Sequence, residues 1–224
     1  MDNEKLFTSP VEALQFLMWA KADLLSADKD SAKVMKGRDE VLAKFGPIFR
    51  EAESSLTESV IKEFLSFEEN CHWTGLYRQQ TAILSNFERA KSAIQILVRK
   101  PEFNDNIAER FDIADQSVRG FGQGIISPIL FVAFPNDYGV WNSKSEAGLN
   151  KLGLGIVSDK GDTPGRKYEK VNGALWHVRR SLNLQLTPGD HPIDFWTLDY
   201  FWHAIKVMGD DGRLDDLVAK FRAE

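Results

Sequence analysis

The chain has 224 residues, of which 43% are hydrophobic and 27% charged, with a single cysteine and a formal net charge of −5. That composition is typical of a soluble globular protein, and a lone Cys71 excludes an intrachain disulfide framework and a cysteine-rich zinc module. No stretch approaches the ~18 apolar residues of a membrane span, and the first residues are charged where a signal peptide needs an apolar run. We therefore expect a cytoplasmic protein with no membrane partner.

Apolar residues recur at helical spacing through the first hundred residues. Ser9-Pro10 predicts a helix start, because a hydroxyl caps the free amides and proline is accepted in the first turn. The helices predicted next are Ser31 to Lys44, interrupted near Gly46-Pro47, then Thr57 to Phe67, then Thr81 to Lys100, which stops at Pro101.

The second half of the chain continues this pattern. The predicted helices are a short one capped by Asn104 or Asp105 through Phe111, then Ile125 to Phe134, one capped by Asn142 or Ser143 that ends at Gly153, Gly165 to Leu184, one opened by Asp194, and a last stripe from Leu214 to Phe221. Only Tyr138 to Trp141 hints at a strand. The sequence therefore predicts an all-α fold of roughly nine or ten helices. It forms one domain over residues 1–224, which can be divided into lobes 1–100 and 101–224.

The charge is unevenly spread along the chain. Residues 117–185 contain 9 basic and 5 acidic side chains, whereas residues 1–70 and 186–224 are acidic. The basic segment favours an electropositive face for a phosphate backbone, although a chance excess of this size is also consistent with the sequence.

The most informative segment runs from Gly120 to Leu154. Gly120, Gly122 and Gly124 precede the apolar run from Ile125, and glycines let the backbone turn and approach a partner closely. The amides at the start of the following helix have no partners within it, which favours phosphate binding there. The run ends in turn residues, a short extended piece follows, and a polar cap opens the next helix.

This order of glycine hairpin, apolar helix, proline-containing turn, extended piece and capped helix ending in LGL resembles the helix-hairpin-helix DNA glycosylase superfamily. The resemblance covers about 35 residues. It implies that hairpin amides hold a DNA phosphate, that an early-helix Lys is the nucleophile of bifunctional members, and that a junction Asp is the catalytic carboxylate. Here the junction residue is Asn142, whose amide cannot act as a base, and Ile125 to Pro128 contains no Lys. The resemblance therefore implies a helix-hairpin-helix-like segment that binds DNA, with no catalytic residue assigned.

A second resemblance spans most of the chain. It is carried by HWTGLYRQ from His72, the stretch from Ile126 to Leu154, YEKVN from Tyr168, and DFWTLDYFW from Asp194. These phrases resemble a bacterial family of unassigned activity that is associated with restriction and genome defence. The resemblance implies a nucleic-acid context without naming a reaction.

Three further groups of side chains are candidates for function. Trp73, Tyr77 and Arg78 follow His72 as an aromatic and cationic cluster suited to a flipped or single-stranded base, or as core anchors. Arg166 and Lys167 start a helix after a flexible loop, where they contact phosphate or remain solvated. Asp194 is most simply a helix cap, and Asp199, among aromatic residues, is a buried partnered carboxylate with a structural or a catalytic role.

The sequence indicates no cofactor and no metal site. It contains no P-loop and no complete GxGxxG motif, and its four histidines lack the spacing of metal ligands.

Three hypotheses remain open at this stage. The first is a DNA-binding or DNA-sensing module, in which Gly122, Gly124, Ser127, Lys144, Arg166 and Lys167 contact the backbone and Trp73, Tyr77, Arg78 and Asn142 line a base pocket. In that pocket Asn142 would pair bidentately with a base edge. The second is a divergent base-excision glycosylase that uses Asp137 or Asp199. The third is a non-enzymatic protein-interaction subunit of a defence system, whose acidic ends are the working faces.

Overall fold

A computed structural model describes residues 5–27, 31–99, 106–156 and 158–224. Within these ranges the chain is all-α and contains no strand. The helices are α1 (Pro10–Trp19), α2 (Lys21–Leu25), α3 (Ser31–Arg50), α4 (Ala52–Ser55), α5 (Glu58–Leu65), α6 (Phe67–Asn70), a 3₁₀ helix (Leu76–Gln79), α7 (Gln80–Leu84), α8 (Phe87–Val98), α9 (Ile107–Ser117), α10 (Gln123–Ala133), α11 (Ser143–Lys151), α12 (Pro164–Asn183), α13 (Phe195–Asp210) and α14 (Arg213–Ala223). No helix in these ranges is both long and apolar enough to cross a membrane.

Local capping signals explain where several helices begin. Ser9 accepts a hydrogen bond from Glu12 N, Thr57 from Val60 N, and Asp194 from Thr197 N. Each side chain satisfies an amide that the helix itself leaves without a partner. The predicted helix starts at Ser9, Thr57 and Asp194 are therefore confirmed.

Two predicted helix boundaries are wrong. The helix from Ser31 continues through Gly46-Pro47 to Arg50, because Phe45 and Phe49 are fully buried on either side and α3 packs along α10. Tertiary packing here outweighs the cost of an internal proline. The predicted helix from Thr81 to Lys100 is divided into α7 and α8, because Asn86 adopts a non-helical conformation as the N-cap of α8 and the Ser85 hydroxyl donates to Ala82 O. Both residues compete with the helix for hydrogen bonds.

Other differences are smaller. The predicted caps Asn104 and Asp105 lie outside the described residues, and Asn106 caps α9, which continues beyond Phe111 to Ser117. Short helices such as α2, α4 and α6 raise the count above the expected nine or ten. The segment from Tyr138 to Trp141 is extended without a strand partner, since Asn172 and Tyr168 bond the backbone of Gly139 and Ser127 bonds that of Trp141.

Three central helices support the surface described next. Every residue of α10 from Ile125 to Ala133 is buried, as is α13 from Phe195 to Trp202. Helix α11 packs along α13, and α10 packs along α3. The N-terminus of α10, the N-terminus of α11 and the first half of α13 are thereby fixed around one space.

Candidate functional site

A cleft of about 680 Å³ opens between the 3₁₀ helix, the turn before α10, the start of α11 and one face of α13. Six of the residues predicted to bind nucleic acid lie in its wall: Trp73, Arg78, Gly122, Gly124, Asn142 and Lys144. They come from segments as far apart in sequence as residues 73 and 144. Only the tertiary fold brings them together.

The N-terminus of α10 forms one wall of the cleft. Gly122 is its N-cap, and no side chain caps the helix. A Cβ built on Gly122 or on Gly124 would meet no atom within 4 Å, and neither glycine has a positive φ. Gly120 differs, because its φ is +97° and a Cβ there would lie 2.9 Å from Gln79 Oε1. Neither turn geometry nor packing therefore requires glycine at 122 and 124, and both leave the helix amides accessible from the cleft.

Asp199 of α13 forms the floor of the cleft. Its side chain is only 5% exposed. His72 Nε2 lies 2.8 Å and Trp73 Nε1 2.9 Å from Asp199 Oδ2, and Asn142 Nδ2 lies 3.1 Å from Oδ1. The interpretation of Asp199 as a buried, partnered carboxylate is confirmed. Such a group is stable in the interior only because donors surround it.

The Asp199 carboxylate fixes the tautomer of His72. An ionised carboxylate can only accept, so His72 Nε2 carries the proton, and in the neutral ring Nδ1 holds the lone pair. No group in the described part of the chain bonds Nδ1. The ring stacks on Trp196 with centroids 4.6 Å apart and an interplanar angle of 22°. His72 is therefore held in one orientation at the cleft wall.

Asn70 supports this arrangement from behind. Its Oδ1 accepts hydrogen bonds from the backbone amides of His72 and Trp73, at 3.0 and 2.7 Å. Its Nδ2 donates to Phe64 O, and the side chain is fully buried. Sequence reasoning missed Asn70, although an Asx residue two positions before an aromatic turn is a recognisable local signal.

Asn142 has both of its amide atoms in use. Oδ1 accepts from Lys144 N and Ser145 N at 2.8 and 3.0 Å, which makes Asn142 the N-cap of α11, and Nδ2 donates to Asp199. The predicted cap is confirmed. Bidentate pairing with a base edge needs a free Oδ1 and a free Nδ2 together, so Asn142 holds α11 and Asp199 instead.

Four residues predicted to bind nucleic acid lie away from the cleft wall. Tyr77 is 56% exposed and borders a neighbouring groove with Glu63 and Glu68. Ser127 is buried within α10, where its hydroxyl donates to Gln123 O, lies 3.1 Å from Trp141 O and accepts from Trp141 N. Arg166 and Lys167 lie at the start of α12, where a hydrogen bond to Glu169 raises the pKa of Arg166.

Tyr200 and His203 line the cleft near Lys144, and no sequence pattern predicts a role for either of them there. Lys144 Nζ lies 2.9 Å from His203 Nδ1, and the Tyr200 and His203 rings meet edge to face. No local motif marks them, since the paired groups are separated by 59 residues. In the ranges that the structure describes, no cluster of three His, Cys, Asp or Glu side chains is arranged to hold a metal ion.

Comparisons with protein-family models, with curated proteins and with solved structures found no match to this chain.

Proposed function

We propose that the cleft binds nucleic acid and that the protein is a DNA-binding or DNA-sensing module of the helix-hairpin-helix glycosylase-like type. The observation that supports this best is the convergence of the α10 N-terminus, Arg78, Lys144 and the Trp73 side chain on one cavity. Phosphate is the ligand that suits amides and cations together. Trp73 itself is 7% exposed and packs in the hydrophobic core, as its alternative interpretation as a core anchor expects.

The electrostatics of the cleft agree with an anionic ligand. The macrodipole of α10 places partial positive charge at Gly122 to Gly124. The Arg78 side chain is exposed and forms no hydrogen bond or ion pair within the described ranges. Such a guanidinium can donate hydrogen bonds to a phosphate without first breaking a bond to another protein group.

The size of the cleft restricts the ligand. Its volume of about 680 Å³ falls in the range of roughly 300–1,000 Å³ that is usual for small-ligand pockets. A single nucleotide turned out of a strand fits such a space, whereas a stacked duplex does not. We therefore expect single-stranded or locally opened DNA to bind more tightly than an intact duplex.

The test is a titration of the full chain against fluorescently labelled oligonucleotides, read by anisotropy. Binding should be detectable at about 50 mM salt and weaken by at least tenfold at about 200 mM, because phosphate contacts release counterions. A single-stranded oligonucleotide should bind better than its duplex. If neither binds at low salt, the proposal fails.

A divergent base-excision glycosylase is a second candidate. It is favoured by the 3.1 Å contact between Asp199 Oδ1 and Asn142 Nδ2, which places a carboxylate beside the junction position. Asp137 lies on an exposed turn outside the cleft wall. This candidate predicts abasic sites in DNA with damaged or modified bases. Asp199→Asn should abolish their formation and Asp137→Asn should not; no product over a broad lesion panel would count against it.

A further inference from the structure

We infer that the cleft hydrolyses a phosphodiester bond of the nucleic acid that it binds, with His72 as the general base and Asp199 as the residue that positions it. The inference rests on the proposed function, because it uses the same phosphate site. It goes further in assigning a reaction to groups that no motif in the sequence marks.

His72 has the features of a general base. Its side chain is 5% exposed, and Nε2 is held by Asp199 at 2.8 Å. Nδ1 bonds nothing in the described ranges, and the residue lines the cleft. Stacking on Trp196 removes rotational freedom from the ring. A ligand or a water in the cleft can therefore donate a proton to Nδ1 or receive one from it.

In the proposed hydrolysis Asp199 acts through His72. Oδ2 accepts from His72 and Trp73, and Oδ1 accepts from Asn142. The bond from His72 Nε2 couples the carboxylate to the imidazole. It holds the ring in one tautomer and stabilises the imidazolium that forms when Nδ1 takes a proton.

The other groups of the cleft suit a phosphodiester. The α10 amides and Arg78 face the same cavity and can stabilise the charge that builds on the non-bridging oxygens. In the proposed step, His72 Nδ1 removes a proton from water as the water oxygen bonds to phosphorus. The bond from phosphorus to one ester oxygen breaks with its electron pair, and that oxygen takes a proton from the Lys144 ammonium. Solvent then restores both proton states, and the products are a phosphomonoester and an alcohol.

The experiment measures hydrolysis and binding in parallel on the full chain. The probes are bis(p-nitrophenyl) phosphate and a 5′-labelled single-stranded oligonucleotide, in buffer with EDTA, because the step uses only protein groups and water. Wild type should release p-nitrophenolate and shorten the oligonucleotide. His72→Gln should lower both rates by about 100-fold or more, since general-base catalysis contributes that much. Its oligonucleotide affinity should stay within about twofold, because glutamine can still donate to Asp199.

Further variants separate chemistry from structure. Imidazole added to His72→Ala should restore hydrolysis in proportion to its concentration, which a purely structural role would not allow. Asp199→Asn should lower kcat with KM unchanged. His177→Gln, which alters an exposed histidine of α12, should leave both rates unchanged.

The outcomes distinguish the two proposals. Binding without hydrolysis in wild type overturns this inference and leaves the proposed function standing. Hydrolysis that persists in His72→Gln overturns the assignment of the base. An absence of binding at low salt removes the proposed function and this inference with it.

Discussion

Two basic regions of the molecule differ in what their cations contact. At the start of α12, Arg166 lies 2.7 Å from Glu169 Oε2, and Lys170 contacts Asp159 at 2.7 Å and Asp162 at 2.6 Å. In the cleft, Arg78 has no such partner in the described residues, and Lys144 donates to an imidazole. Arg166 and Lys170 are thus neutralised by neighbouring carboxylates, whereas Arg78 lines the cavity without a carboxylate partner in the described residues.

The difference shows that net charge along the sequence is a poor guide to a phosphate site. The segment 117–185 holds the basic excess, yet two of its nine basic residues, Arg166 and Lys170, lie in ion pairs at the start of α12. Arg78 comes from the segment 71–116, which has as many acidic as basic residues. What a ligand encounters is the potential left after neighbouring charges cancel.

The largest expected effect concerns the carboxylates of the two regions. Asp199→Ala leaves His72 Nε2, Trp73 Nε1 and Asn142 Nδ2 without their acceptor in a buried site. We expect the free energy of unfolding to fall by about 3–5 kcal/mol, as for other broken buried charge networks. Urea denaturation measures it.

Asp162→Ala is the matched control, since it removes a carboxylate that pairs with Lys170 near the surface. Its unfolding midpoint should change much less, because an ion pair in contact with solvent is weak. Equal losses of stability in the two variants would show that the buried Asp199 network stabilises the protein no more than an ion pair near the surface does.

Sequence reasoning succeeded where the determinant is local. The sequence predicts Ser9 and Asp194 as caps, Asn142 or Ser143 as another, and Thr57 as a helix start. Each cap needs only a side chain and the amides two or three residues later. It failed at Pro47, where packing against α10 keeps a helix intact. Propensity is a weak prior against such packing.

The same distinction between local determinants and tertiary packing applies to the candidate site. The glycines before α10 and the aromatic cluster after His72 are visible in the sequence. The hydrogen bond between His72 and Asp199 spans 127 residues, so no spacing rule could have paired them. Asn142 was chosen for an amide that could read a base, but the fold uses that amide internally. Both outcomes depend on how α11 and α13 pack, which local patterns do not encode.

Removing two positive charges from each region gives the second prediction. The double substitution of Arg78 and Lys144 by alanine should weaken single-stranded DNA binding by about tenfold or more at low salt. It should also reduce the slope of log affinity against log salt by roughly one for each phosphate that the protein no longer neutralises. Fluorescence anisotropy over a salt series measures both quantities.

The matched variant replaces Arg166 and Lys167 by alanine. It changes the net charge by the same amount but removes cations outside the cleft wall. Affinity should fall by less than about threefold, because only the long-range potential changes. If this variant were the weaker binder, the phosphate path would run over α12 rather than through the cleft.

A smaller effect is expected from two helical glycines. Gly124 in α10 and Gly173 in α12 both have open space where a Cβ would lie. Alanine at either position should raise the free energy of unfolding by up to about 0.5–1 kcal/mol. Only Gly124→Ala should weaken DNA binding, by a few fold, because its methyl group occupies the approach to the α10 amides.

Gly124→Ala should raise the free energy of unfolding and weaken DNA binding. Because the variant would be more stable than wild type, misfolding could not explain its weaker binding. Equal affinity of Gly124→Ala and Gly173→Ala would instead mean that the ligand does not approach the α10 N-terminus closely.

The smallest expected effect is a change with pH in the stability that the ion pairs at the start of α12 contribute. Hydrogen bonding to Lys170, followed by the amide of Asp159, lowers the pKa of Asp162 in the folded protein. A lowered folded pKa stabilises the protein above the ordinary aspartate value of about 3.9. That contribution disappears as the pH falls through the lowered pKa. Asp162→Asn should therefore be less stable than wild type at neutral pH, and the two stabilities should converge as the pH falls through the lowered pKa of Asp162. Denaturation of wild type and Asp162→Asn at a series of pH values measures this. A difference that does not change with pH would mean that the α12 ion pairs do not persist in solution, and the contrast with the cleft would then lose its electrostatic basis.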